Sequence, residues 1–100
     1  MTDGPAIISS DILASYAADA AREAPGVAGL VDGRVPGRRA VRIAEEEGAL
    51  SVELHLAVEW GASIPAVARD VQRRVREYLA RMADVDPAAV DVVVDEIGRR

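Results

Sequence analysis

His55 is the only histidine of the chain, and so the one side chain whose charge changes near neutrality without special help. It stands in "SVELHLAVEW", residues 51–60, where alternation puts Glu53, His55 and Glu59 on one face of a strand. A metal or acid/base centre there would need further ligands, such as Asp91 or Asp95 from the closing strand. The chain has no H-x-H or H-E-x-x-H spacing, so the residues alone predict a solvated, outward-facing histidine. Nucleophilic catalysis finds no better footing. The serines are Ser9, Ser10, Ser15, Ser51 and Ser63, and none sits in a G-x-S-x-G elbow. "GRVPGRR", residues 33–39, is basic and glycine-rich, but a phosphate cradle normally leads into a helix and this segment leads into a strand. Its glycines fit neither the P-loop nor the GxxG clamp of RNA-binding modules. A connector is the simpler reading, with anion or nucleic-acid binding by residues 33–39 as the alternative. No enzyme chemistry, cofactor or metal is expected.

Charge suggests contact rather than catalysis. Arg69, Arg73, Arg74, Arg76 and Arg81 line one helical segment, and arginine is favoured at interfaces because its planar fork pairs with carboxylates and stacks on rings. Glu53, Glu59, Asp91 and Asp95 make an acidic sheet face. Opposite patches on different faces invite head-to-tail association of copies. Trp60, at the strand end before Gly61, is either an anchor for such a contact or a lid over the core edge. The candidate interaction residues are therefore Trp60, Arg69, Arg73, Arg76, Glu53, His55 and Glu59. "EEE" at 45–47 reads as a solvated strand end that discourages edge pairing.

These residues must be positioned by a small scaffold. With 100 residues the chain has room for a single core, so residues 1–100 are one domain with residues 1–5 as a frayed end. Half the residues are hydrophobic but only 3% are aromatic, with no Phe, so the core must be built from Val, Leu, Ile and Ala. A net charge of -5 disfavours a general grip on nucleic acid and adsorption to an anionic membrane. The absence of Cys excludes disulfides and thiolate metal sites. No secretory leader or membrane-spanning run is visible, which predicts a cytoplasmic protein.

Ser9 or Ser10 caps a first helix, whose stripe runs through Ile12, Tyr16, Ala20 and Ala24 beside Leu13, Ala17 and Ala21. "APG" at 24–26 stops it. A short strand is expected near 27–31, then strands in "RAVRIAEEE" and "SVELHLAVEW" joined by a hairpin at Gly48. Ser63 caps a second helix, with Pro65 in its first turn and Val67, Val71, Val75, Tyr78, Leu79 and Met82 on its buried side. "VDVVVDEI" closes the fold with Val90, Val92 and Val94 inward. The expected class is α+β, a two-layer sandwich with the order helix, strand, strand, helix, strand. Two helices would pack on one face of a small mixed sheet, and residues 6–9 are β-branched enough to add an edge strand.

In that order, "IISSDILASYAADAAREAPGVAGLV" and "SVELHLAVEWGASIPAVARDVQRRVREYLARMADVDPAAVDVVV" resemble the alkaline shock protein family of bacterial envelope stress response proteins. The likeness rests on "PGV" after the first helix, on "EWGASIP", on "VARDVQRRV" and on the closing "VDVVV", and covers roughly residues 6–97. It implies a non-enzymatic stress protein acting in cell-envelope homeostasis. Such a protein would self-associate as a scaffold and be held at the cytoplasmic side of the membrane by a membrane-anchored partner.

Overall fold

The computed structural model describes residues 8–32 and 39–99. Their elements are α1 (Ser10–Arg22), β1 (Val27–Leu30), β2 (Val41–Glu46), β3 (Ala49–Val58), α2 (Ile64–Ala83) and β4 (Ala89–Ile97). The fold is the expected α+β sandwich with a mixed sheet, and the short strand after the first helix is present as β1. Residues 1–5, read from the sequence as frayed, lie outside the described residues. So do the first two of residues 6–9, read as an edge strand. Ile8 and Ser9 are not strand: Ser9 is the N-cap of α1, its Oγ accepting from the Ile12 N–H at 3.2 Å.

β3 is the hub. β4 pairs parallel to it over nearly its whole length, from Ser51↔Ala89 to Val58↔Ile97. β1 and β2, both antiparallel, therefore divide the opposite edge, β2 against residues 49–54 and β1 against residues 56–58. His55 bridges the gap between them with its main chain. Its N–H donates to Ala40 O at 2.8 Å, and its carbonyl accepts from Val31 N at 2.9 Å. A parallel neighbour needs a crossover, and α2 supplies it.

Alternation along β3 sends Val52, Leu54, Leu56 and Val58, all fully buried, to the helix-covered face. α1 lies over β1 and β2, and α2 over β4. Val67, Val71, Val75 and Leu79 at spacings of four seal α2 to the sheet. α1 buries Leu13, Ala17, Ala20 and Ala21, and Tyr16 meets Tyr78 edge-on at 5.7 Å where the helices touch. Ile12, expected in the stripe, is 48% exposed. A spacing of four drifts about 40° per step, so the row buried at Ala20 has rotated into solvent two steps earlier.

Local signals fix the joints. Glu47 and Gly48 both take positive φ (51° and 80°) in the two-residue turn between β2 and β3, as a type I′ hairpin requires. α2 ends at Asp84 in the left-handed region (φ 53°, ψ 43°). There, Asp84 N bonds Ala80 O at 3.1 Å, the bond of an αL cap, and Val85 N bonds Leu79 O at 3.3 Å. An aspartate is poorly suited to this place, being non-glycine and negative at a helix C-terminus. Asp84→Gly is expected to raise stability by about 1 kcal/mol, read as a higher urea midpoint with unchanged slope.

Candidate interaction surface

β3 leaves the sheet at Val58 and enters α2 six residues later. Ala62 N donates to Glu59 O at 3.1 Å, closing a turn whose third residue is Gly61 at φ 86°. That is the position where a type II turn needs positive φ. Ser63 then caps α2, its Oγ accepting from Ala66 N at 3.3 Å. Both neighbouring strands hold the joint from outside: Glu59 N donates to Gly26 O at 2.8 Å, and Gly98 N to Val58 O at 2.7 Å. The backbone on either side of Trp60 is thereby pinned.

Trp60 is 61% exposed, so it does not act as a lid. Together with Ile64 (38%), Ile97 (53%) and Glu59 it lines an open apolar depression of about 220 Å³ at this end of the sheet. Ile97 owes its place to a β-bulge. The register passes from Leu56↔Val94 to Ala57↔Glu96, leaving Asp95 as the extra residue of β4. Simple alternation would set Ile97 on the open face with Asp91 and Val93. The bulge instead pairs it with Val58, whose side chain points to the helix layer.

The open face carries a second cluster, around His55. His55 is 6% exposed, contrary to the solvated histidine read from the sequence. Nδ1 lies 2.6 Å from Asp95 Oδ2 and Nε2 lies 3.1 Å from Glu53 Oε2, while Arg42 reaches the same Glu53 oxygen at 3.7 Å. A neutral imidazole has one N–H and one lone pair, so only the imidazolium can donate to both carboxylates. Burial opposes that charge, but the hydrogen bonds the ring donates to Asp95 and Glu53, together with their negative charges, outweigh it and raise the His55 pKa. With both nitrogens engaged and the ring covered, the cluster is a clamp between β3 and β4. Among the described residues no group of three or more His, Asp or Glu is arranged to hold a metal ion.

The arginine side of α2 is largely occupied from within. Arg73 and Arg74 both bond Asp70, at 2.5 and 3.0 Å, and Arg73 also bonds Glu77. Partial burial works against ionised Asp70, yet the bonds from Arg74 and Arg73 hold its pKa below the usual carboxylate range. Arg76 donates to Pro87 O at 2.7 Å, tying α2 to the start of β4, and Arg81 lies over the Tyr78 ring at 5.3 Å. Glu77, at i,i+4 spacing from Arg81, pairs instead with Arg73. Of the candidate arginines, Arg69 and Arg76 have no ion pair among the described residues, and Arg76 is held by the Pro87 carbonyl. Glu53 and His55 bind each other, whereas Trp60 and Glu59 share the depression. Residues 33–38 of the basic loop lie outside the described residues, and Arg39 pairs with Asp11 at 3.1 Å.

A family model described as the alkaline shock protein 23 family, of cell envelope-related function, matches residues 1–99. The chain belongs to this family. A relative of Streptococcus pyogenes, the uncharacterized protein Spy1535, is 28% identical over 53 residues, which is 53% of this chain and 41% of that protein. The chain thus spans less than half the length of that curated relative. Among solved structures, a histidine-to-alanine variant of MamM-CTD superposes with a TM-score of 0.60 at 13% identity, covering 91% of this chain and all of that one. A cadmium form of another MamM CTD variant gives 0.58 at 14%, covering 92% and 100%. At such identities the likeness shows the fold alone. No described helix is long and apolar enough to cross a membrane.

Proposed function

We propose that this envelope-related chain is a non-catalytic adaptor, held at the cytoplasmic side of the membrane by a membrane-anchored partner through the Trp60 surface. The observation that carries this reading is the rigid presentation of Trp60, Ile64 and Ile97. Three large apolar side chains converge in solvent on a joint fixed by strand hydrogen bonds and a helix cap, and exposed apolar clusters of this kind mark interaction sites. The family's envelope-related function supports the setting. The occupied ring nitrogens of His55 support a structural role for the one neutral-range titrating side chain.

The adaptor also associates with copies of itself, and weakly. Head-to-tail pairing of the acidic sheet face with the arginine side of α2 has Arg69 as its one candidate arginine without a bond inside the chain among the described residues. Sedimentation at rising concentration is expected to show oligomers that dissociate as salt screens the pairing.

The test of the adaptor reading is a crosslinking pull-down of the tagged chain from its own cells, beside Trp60→Ala and Arg69→Glu. The expected result is a membrane protein recovered with the parent chain and with Arg69→Glu but lost with Trp60→Ala. Equal recovery with folded Trp60→Ala contradicts it.

A further inference from the structure

We propose that the Trp60 depression and the adjoining free edge of β4 form one continuous site for an extended cationic segment of another protein, with an apolar side chain seated against Trp60 and lysines or arginines beside it. This rests on the adaptor reading above and names the chemistry of what the surface takes.

Two observations meet at this end of the sheet. β4 pairs with β3 on one side only among the described residues. Gln72 bonds the Val90 carbonyl at 3.0 Å and Arg76 the Pro87 carbonyl, so α2 occupies the start of that strand, and the free edge runs on toward Ile97. An unpaired edge beside an apolar depression is the arrangement that β-augmentation uses: main-chain bonds give affinity and a pocket selects a side chain.

Charge then selects the occupant. Asp91, Asp95 and Glu96 stand along β4, and Glu59 lines the depression itself. Against these four carboxylates stand Arg99 just after the strand and Arg69 on α2. A second copy pairing its own β4 antiparallel here, centred on Val93, would set Asp91 of one chain opposite Asp95 of the other. Like charges directly opposite destabilise a strand pair, and charged edges of this kind guard against self-pairing. A segment alternating basic and apolar residues meets the same edge with opposite charges and fills the depression.

The single tryptophan makes the site report on itself. Full chain would be titrated with a tryptophan-free peptide alternating lysine with leucine and valine. Two controls accompany it: the same peptide with glutamate for lysine, and oligolysine without apolar residues. The expected result is a blue shift of Trp60 emission with the first peptide alone. Its affinity should weaken by about tenfold or more in Glu59→Lys/Glu96→Lys and be abolished in Ile97→Glu. No shift, or equal response to the glutamate peptide or to oligolysine, overturns the proposal. So does a shift with protein concentration alone, which would assign the surface to a second copy. Failure here with continued Trp60-dependent pull-down of a membrane protein would end this assignment and leave the adaptor reading standing.

Discussion

The fold loses stability as the pH rises above about 6.5, the ordinary histidine pKa, and His55→Gln removes most of that loss. The folded pKa of His55 is raised above its unfolded value, so folding is coupled to proton uptake. The contribution of the charged ring is full below the unfolded pKa, about 6.5, and disappears as pH climbs through the higher folded value. Above it, one carboxylate faces a lone pair at hydrogen-bond distance. Charge-assisted hydrogen bonds contribute about 1.5–3 kcal/mol each, and Glu53 and Asp95 are partly exposed, which reduces this to roughly 1–2 kcal/mol. Urea midpoints measured across that range check it. A flat profile for the parent chain, or the same slope in His55→Gln, contradicts the clamp.

A second large effect is expected at Gly26, which turns the chain from α1 into β1 at φ 89°. A Cβ there would lie 2.7 Å from Val67 Cγ2 and 3.3 Å from Ala62 Cβ. Val67 is part of the α2 seal, so it cannot retreat without opening the core. Gly26→Ala therefore carries both backbone strain and overpacking, together about 3 kcal/mol. Gly61 makes the informative contrast. Its φ is 86°, but a Cβ there meets nothing within 4 Å, so Gly61→Ala carries only the strain, about 1 kcal/mol. Parallel unfolding curves for the two variants separate the terms, and equal losses would show that the contact with Val67 is not tight.

Much of this architecture was legible in the sequence because it rests on local periodicity. The alternation of Val52, Leu54, Leu56 and Val58, the spacing of Val67, Val71, Val75 and Leu79, and the Ser9 and Ser63 caps gave the layers and their order. The tight joint at Trp60 was legible because Gly61 and Ser63 announce it, whereas the choice between anchor and lid was not, since it turns on exposure. Asp95 was legible on the His55 face, but the bulge at Asp95 was not. It depends on how β4 pairs with β3, and a strand's own pattern does not reveal an inserted residue. That extra residue moves Ile97 to the Trp60 side, so the apolar depression escaped alternation. The arginines were misleading for a different reason: helical spacing gives their face, but Asp70, Glu77 and the Pro87 carbonyl decide how much of their charge is left for a partner.

The adaptor account is tested most directly by where the protein sits in its own cells. With a fluorescent tag on the parent chain and on Trp60→Ser/Ile97→Ser, each shown folded by its unfolding curve, the parent is expected at the cell periphery and the variant throughout the cytoplasm. A variant that remains at the periphery, or a parent that never collects there, would contradict the claim that this surface holds the chain at the envelope.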